Sequence, residues 1–245
     1  MNEPTNAVPQ TPDPNKAIEL YREGFLASDK YRAEVQKRLK SRVFDTFDQL
    51  LRHRGSAGLV AGTRLLDLGS ADGAFVAICR DHGLEARGLD ISDGVNFERD
   101  RLPIDDASVD VVTVNSVIEH LATPHNLMVE ARRVLRDGGA MIVVTPNFRY
   151  AYRDFYNDPT HIRPYTEISL QRLFKNYGFS RPYVVPWIVK KPAWMWDLPR
   201  AFAFARYIIP FRGDAPAFIP EFLNGKSWTI LAMAISTTNP TRTGA

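Results

Sequence analysis

The sequence has few of the features that mark secreted, membrane-spanning or nucleic-acid-binding proteins. Its 245 residues contain one cysteine, Cys79, so no disulfide can form within the chain and a cytoplasmic location is expected. No uncharged apolar run reaches about 18 residues, and the Pro-rich opening lacks a basic-then-apolar leader. The net charge of +3 comes without a dense Lys/Arg run, which argues against a nucleic-acid partner.

Spacings typical of a metal site are also missing. The five histidines are scattered along the sequence, and no Cys/His spacing fits zinc. We therefore expect no metal. What the sequence does have is 44% apolar residues, enough to bury one α/β core with an elaboration.

The stretch from Arg64 to Asp90 has the pattern of a strand, a turn, a helix and a second strand. Residues 64–68 suit a buried parallel strand, and the following turn, DLGSADG, is rich in small residues that let backbone approach a ligand. A helix from Ala74 to Arg80 would point unpaired N–H groups into the same space. An acid ending the second strand, Asp90, can accept hydrogen bonds from both hydroxyls of a ribose. The pattern predicts a nucleoside-cofactor site.

The spacing of the turn bears on the identity of the cofactor. A dinucleotide-binding turn typically has the motif G-x-G-x-x-G, which accommodates a pyrophosphate, whereas this turn is D-x-G-x-A-x-G. Asp67 would repel a pyrophosphate but could help to hold an ammonium. The turn resembles the first motif of the class I S-adenosylmethionine-dependent methyltransferases, (D/E)-x-G-x-G-x-G, with Ala71 in place of the middle glycine. A nicotinamide is the alternative cofactor, and it predicts binding of NAD.

Later segments carry the same resemblance, which extends over residues 64 to about 185. Residues 96–110 are similar to the family's D-x-E-x-x-x-L-P-F-x-D-x-S-F-D segment, and residues 133–147 to its helix, double glycine and strand. Residues 115–121, NSVIEHL, resemble the turn that many members place beside the methionine end of the cofactor. Residues 158–166 resemble the P-x-H-x-x-x-(F/Y)-(T/S) segment of members that act on sugars, glycans and other small hydroxylated acceptors.

The resemblance implies S-adenosylmethionine as the cofactor. Asn96 takes the place of the acid that accepts from the adenine amine, with the Phe97 amide facing the ring. A pairing one step later would give that role to Glu98 or Asp100. The connection after Asp90 is shorter than is usual in the family, which has a helix and a third strand there. The predicted cofactor-binding residues are Asp67, Gly69, Ser70, Ala71, Gly73, Asp90, Ile91, Asn96, Phe97 and Asn115.

His161 is the predicted general base. An imidazole with a pKa of about 6.5 can take the proton of an acceptor hydroxyl as the methyl group arrives. Alternatively, His161 only caps a helix or binds backbone. Glu119 and His120 are the other predicted catalytic residues, although such a pair is also typical of an exposed helix start. The predicted acceptor contacts are Asn147, Arg163 as an anion anchor, and Tyr165.

The expected fold is α/β, a Rossmann-like doubly wound sheet of the seven-stranded methyltransferase type. N-terminal helices precede it and a helical insert lies before the last strand. Within the core, helices are expected from Thr123 to Arg136, ended by a double-glycine turn, and from Thr166 to Tyr177. The expected divisions are a disordered leader (1–15), an N-terminal helical lid (16–58), the cofactor-binding core (59–186), an aromatic-rich cap insert (187–227), the last core strand (228–238) and a tail (239–245).

The predicted function is methyl transfer from S-adenosylmethionine to a hydroxyl of a small or glycan-type acceptor. Methylation of RNA or protein is an alternative, disfavoured by the lack of an RNA-binding module and of an N-P-P-Y-type amine pocket. A non-catalytic partner that kept the fold is another, suggested by the shortened connection after Asp90. The aromatic-rich residues 187–222 either pack on the sheet with some acceptor contact or dip into a bilayer to meet a lipid-linked acceptor.

Overall fold

The protein is seen here as a computed structural model that describes residues 33–187 and 229–237. Its strands are β1 (Arg64–Leu68), β2 (Glu85–Leu89), β3 (Val109–Asn115), β4 (Leu135–Pro146), β5 (Phe179–Trp187) and β6 (Thr229–Ser236). Its helices are α1 (Ala33–His53), α2 (Ala74–Asp81), α3 (His125–Val134), α4 (Phe148–Ala151) and α5 (Glu167–Asn176). Short 3₁₀ helices span Ile91–Asp93, Ile118–His120 and Phe155–Asn157.

The strands form one sheet in the order β2-β1-β3-β4-β6-β5. The first four strands of that order run parallel to one another, and β6 is antiparallel to both β4 and β5. The chain passes from β1 to β2 on one side and then returns to β3 on the other. The order of strands therefore reverses between β1 and β3, and ligands of open α/β sheets bind at the carboxyl ends of the strands that flank such a reversal.

The sheet is covered on both faces, which is why its central strands are apolar without alternation. On one face, Leu66, Val112 and Met141 pack in a core that includes residues of α3 and α5. On the other, Leu65 and Ile142 join a core that includes residues of α1 and α2. This arrangement confirms the predicted Rossmann-like, doubly wound architecture.

Helix α1 packs on the core as its amphipathic pattern predicts. Phe47 is fully buried with its ring edge-on to Phe75 at 5.6 Å between centroids, and Phe44 stacks on His82 at 4.1 Å. Leu39, earlier in the same helix, is 42% exposed. The lid role implied by the resemblance stays a prediction.

The second predicted core helix ends earlier than expected. Helix α3 stops at Val134 rather than Arg136, because pairing with β3 already begins at Leu135. Val109 pairs with Leu135 and Val111 with Ala140, so the double glycine lies in an irregularity of β4 and not at the end of a helix. Gly138, at φ +73°, supplies the left-handed residue that this detour requires.

Other local predictions are confirmed. Thr166 caps α5 by accepting from Ser169 N, and Ser169 Oγ in turn accepts from Thr166 N. Cys79 is fully buried, and burial raises the pKa of its thiol to about 12.

The predicted seventh strand is not found among the described residues. Only a 3₁₀ helix, followed by non-regular chain, joins β2 to β3.

Several predictions fall outside the described residues. They are the leader (1–15), most of the aromatic insert (187–227) with its proposed membrane contact, and the tail (239–245). Within residues 33–187 and 229–237, no helix has both the length and the apolarity that a membrane crossing needs.

Candidate active site

The turn after β1 brings backbone close to the reversal point of the sheet. Gly69 has a φ of +83° and donates its N–H to Leu89 O, which ties the turn to the end of β2. A Cβ at Gly69 would lie 2.1 Å from Val117 Cγ2, so only glycine fits. Gly73 N donates to Ser70 O and closes the turn before α2 begins. The predicted cofactor residues of the turn therefore lie together at the carboxyl edge of the sheet.

Asp90 and the turn are held against each other. The Asp90 carboxylate, 6% exposed, accepts from Ala71 N at 3.0 Å through one oxygen. The other oxygen accepts from Ser92 N and Ser92 Oγ. Ala71 has a φ of +51°, the left-handed conformation for which glycine is favoured.

Asp67 lies inside the strand end and is almost completely buried. Burial raises the pKa of its carboxyl to about 6, although a hydrogen bond from Thr113 Oγ1 at 2.7 Å and the charge of Lys40 act in the opposite direction. A buried carboxylate with few partners favours a cation nearby. The position suits the predicted ammonium contact, direct or through water.

The predicted adenine segment is ordered by its own polar side chains. Asn96 Oδ1 accepts from Glu98 N at 2.8 Å, and Asn96 N donates to Asp100 Oδ2 at 2.8 Å. Phe97 is buried in the core, and its carbonyl accepts from Asn126 Nδ2. Ile91 begins the 3₁₀ helix that Asp90 caps. All these side chains and backbone groups follow the end of β2, where the resemblance places them.

Glu119 is a fully buried ionisable group of the acceptor half. Its side chain is fully buried, Oε2 accepts from Thr145 Oγ1 at 3.0 Å, and burial raises the pKa of the carboxyl to about 8. Among the buried side-chain atoms of the described residues, only Glu119 Oε1 and the Tyr165 hydroxyl have no hydrogen-bond partner. The chain enters this segment through Ser116, which adopts a left-handed φ of +56° at the end of β3.

Two histidines that are far apart in the sequence meet beside Glu119. The ring centroids of His120 and His161 are 4.8 Å apart. His161 Nδ1 lies 2.7 Å from Phe155 O, and His120 Nδ1 lies 3.2 Å from Thr160 O. A carbonyl only accepts, so each Nδ1 carries hydrogen and each neutral ring keeps a lone pair on Nε2. Burial, followed by repulsion from His161, lowers the pKa of His120, which favours its neutral form.

The loop that carries His161 is pinned to the Glu119 backbone. Glu119 O accepts from both Ile162 N and Arg163 N. Thr160 Oγ1 donates to Asp158 Oδ1 at 2.6 Å and lies 2.9 Å from His120 Nδ1. Asp158 Oδ2 is 3.6 Å from His161 Nε2. Thr160, Asp158 and Thr145 had no predicted role, although Thr160 immediately precedes His161 and Asp158 lies three residues before it.

The three predicted acceptor contacts lie near this loop, and Arg163 fastens it to the segment after Glu119. Asn147 is fully buried, donates through Nδ2 to Glu167 Oε1 and accepts from Arg149 N. The Arg163 guanidinium donates to the carbonyls of Leu121 and Ala122. The Tyr165 hydroxyl is buried, and burial raises its pKa. Acceptor contact by these side chains stays a prediction.

Although the histidines are scattered along the sequence, the fold brings His120 and His161 together with Glu119. One ligand atom from each imidazole and one from Glu119 lie within 4.8 Å of one another. Two nitrogens and a carboxylate oxygen at this separation can hold a divalent metal ion. Sequence spacing could not reveal the group, because the long chain between the two histidines has to fold first.

Together, the reversed strand order, the glycine turn and the acid at the end of β2 define a nucleoside-binding α/β domain. The chain also matches the family model described as a methyltransferase domain, over residues 31–181. The chain belongs to this family. Family membership confirms the predicted methyltransferase class.

Individual relatives agree with the family. A Mycolicibacterium smegmatis protein named "Probable S-adenosylmethionine-dependent methyltransferase" is 34% identical over 149 residues, which are 54% of this chain and 56% of that protein. The ubiquinone biosynthesis O-methyltransferase of Maricaulis maris is 29% identical over 121 residues, which are 41% of this chain and 48% of that protein. The chain thus spans about half the length of these relatives. The structure of an S-adenosylmethionine-dependent methyltransferase from Archaeoglobus fulgidus has the same fold, with a TM-score of 0.54 and 20% identity. The match covers 89% of this chain and 99% of that chain.

Proposed function

We propose that this protein transfers the methyl group of S-adenosylmethionine to a hydroxyl of a small or glycan-type acceptor, with His161 as general base. The observation that supports the proposal is the contact of His161 Nδ1 with Phe155 O at 2.7 Å. Because a carbonyl only accepts, Nδ1 carries a hydrogen, and Nε2 is the nitrogen that can take a proton from the acceptor; Asp158 Oδ2 lies 3.6 Å from it. The name of the Maricaulis relative, an O-methyltransferase, is in line with a hydroxyl acceptor.

The reaction needs little covalent chemistry from the protein. The carbon–sulfur bond to the methyl group breaks as the oxygen–methyl bond forms, and the electron pair stays on sulfur as S-adenosylhomocysteine leaves. The acceptor oxygen is a poor nucleophile until its proton departs, and His161 Nε2 takes that proton. The remaining rate enhancement comes from positioning, because the sulfonium and the acceptor oxygen must be held in line. In this proposal Asp90 and the Gly69 turn hold the cofactor, and the loop at His161 holds the acceptor.

The test is His161→Ala, assayed with methyl-labelled S-adenosylmethionine against phenolic, monosaccharide and glycan acceptors. Turnover is expected to fall by roughly a hundredfold or more, while affinity for S-adenosylhomocysteine stays unchanged. His125→Ala is the matched control, because that exposed imidazole contacts Tyr177 outside the candidate site. Unimpaired turnover in His161→Ala would show that another group takes the proton.

A further inference from the structure

We infer that Glu119, His120 and His161 form a binding site for a divalent transition-metal ion. This inference departs from the sequence-based expectation of no metal, and its consequence for catalysis rests on the proposed function. Its starting point is that one ligand atom from each side chain lies within 4.8 Å of the other two. An ion bound about 2.1 Å from each atom needs them roughly 3 to 4 Å apart, so the side chains must close by about 1 Å.

The two imidazoles are already arranged as ligands. Metal-binding histidines usually donate their other N–H to a carbonyl or carboxylate, which fixes the tautomer and aims the lone pair. His161 does so to Phe155 O, and His120 does so to Thr160 O, with Thr160 Oγ1 also within reach. Both supporting carbonyls belong to the loop that Glu119 O anchors. With Nδ1 engaged in this way, Nε2 is the nitrogen that each imidazole can offer to an ion, and Asp158 Oδ2 lies 3.6 Å from that of His161.

Glu119 supplies an independent reason to expect a cation. Its side chain is fully buried, and Oε1 has no hydrogen-bond partner among the described residues, whereas Oε2 accepts from Thr145. A buried polar atom left unsatisfied costs about 1 to 3 kcal/mol. Protonation alone does not remove that cost, because a hydrogen on Oε1 would itself need an acceptor. A cation between Oε1 and the two imidazoles satisfies the oxygen directly.

The donor set indicates the kind of ion. Mg²⁺ and Ca²⁺ prefer oxygen ligands throughout, whereas two imidazole nitrogens with one carboxylate suit Zn²⁺, Mn²⁺, Fe²⁺ and their neighbours in the first transition row. Three protein ligands also leave coordination positions open, as in catalytic rather than structural metal sites. The acceptor hydroxyl is the ligand that the proposed function would bring to such a position.

A bound ion would change how the acceptor is activated. Coordination lowers the pKa of a hydroxyl, so its oxygen–hydrogen bond breaks with release of the proton to solvent. The resulting alkoxide or phenoxide then attacks the methyl carbon, and the sulfur keeps the electron pair as before. In this metal-bound form His161 Nε2 is a ligand, and the ion takes over the task that His161 performs as a base in the metal-free form.

The binding test is a calorimetric titration of the chelator-treated full chain with Zn²⁺, Mn²⁺ and, for comparison, Mg²⁺. We expect one equivalent of Zn²⁺ or Mn²⁺ to bind at least tenfold more tightly than Mg²⁺. Glu119→Gln and His120→Gln should each weaken that binding by at least tenfold, while His125→Ala should leave it unchanged. Two variants of the metal site are used, so that the test still gives a result if one of them fails to fold.

A parallel titration with S-adenosylmethionine and a turnover assay separate this inference from the proposed function. We expect at least a tenfold rise in turnover when Mn²⁺ or Zn²⁺ is restored to the chelator-treated protein. Absence of metal binding, or equal binding by wild type and both variants of the metal site, would overturn the metal site while S-adenosylmethionine binding and turnover stand. Metal binding without any effect on turnover would overturn the activation step. Failure to bind S-adenosylmethionine would instead refute the proposed function.

Discussion

The cofactor half and the acceptor half of the site are built in different ways. The predicted cofactor half lies between Asp67 and Phe97, apart from Asn115 at the end of β3, and it relies on backbone turns with small residues. The acceptor half joins the end of β3 to a loop that follows β4, and it relies on buried side chains such as Glu119 and His161. The difference teaches that a cofactor common to a family can be bound by a local motif, whereas acceptor chemistry depends on how distant segments meet.

The largest expected effect that separates the two halves is the loss of Asp90. Asp90→Ala removes the carboxylate that is proposed to accept from both ribose hydroxyls, so S-adenosylmethionine affinity should fall by roughly a hundredfold. Calorimetry measures the affinity, and chemical denaturation measures the separate loss of stability from the Ala71 N and Ser92 N hydrogen bonds.

Asp72→Asn is the control for Asp90→Ala. Asp72 belongs to the same turn, and its Oδ1 accepts from Ala74 N, the first residue of α2, at 3.1 Å. Asparagine keeps that oxygen, so affinity should stay within about twofold of wild type. Equal affinity losses in both variants, or none in Asp90→Ala, would place the ribose elsewhere.

A smaller effect is expected at the opposite edge of the sheet, away from both halves. Asp110 in β3 accepts from Arg64 and Arg136, and these hydrogen bonds outweigh the raising effect of burial and lower the pKa of Asp110 to about 2. An Asp of ordinary pKa, about 3.9, is expected in the unfolded chain. The stabilisation is therefore complete above about pH 4 and is lost as the pH falls toward 2.

Asp110→Asn tests that account. The two arginines are more than two-fifths exposed, so solvent screening limits the expected loss of unfolding free energy at pH 7 to about 1 kcal/mol. The variant should also lose less stability than wild type between pH 4 and pH 2, as measured by urea denaturation. S-adenosylmethionine affinity should not change. A change in affinity without a change in stability would show that this edge is coupled to the site.

The smallest expected effect concerns the turn itself. Ala71 adopts a left-handed φ of +51°, which costs an alanine about 1 kcal/mol. Ala71→Gly removes that strain but adds freedom to the unfolded chain, so the net gain in unfolding free energy should be about 0.5 kcal/mol. Thermal denaturation measures it. A loss of more than about 1 kcal/mol would mean that the alanine methyl group makes contacts that outweigh the strain.

Some features of the fold could be predicted because their determinants are local. Gly69 needs a left-handed turn, and Asp90 ends the strand beside that turn. The cap of α5, in which Thr166 and Ser169 exchange hydrogen bonds, is decided by nearby residues in the same way. The end of α3 was missed, because competition between helix and sheet pairing at Leu135 depends on the position of Val109. The position of Val109 beside Leu135 is set by the tertiary fold, and the local sequence pattern does not reveal it.

The acceptor half was predicted residue by residue but not as a group. The sequence singled out Glu119, His120 and His161, yet it gave no indication that the two imidazoles meet or that Glu119 Oε1 is buried without a partner. Those properties follow from the hydrogen bonds that fasten the loop to Glu119 O. The predicted contacts of Asn147 and Arg163 were assigned from their place at the edge of the sheet, whereas in the structure Arg163 also fastens the loop to the segment after Glu119.

The most direct test of the central claim is calorimetric titration of the full chain with S-adenosylmethionine and, in parallel, with NAD. A site formed by the Gly69 turn and Asp90 predicts one equivalent of bound S-adenosylmethionine and no heat with NAD. Heat with NAD and none with S-adenosylmethionine would contradict the assignment of this crevice.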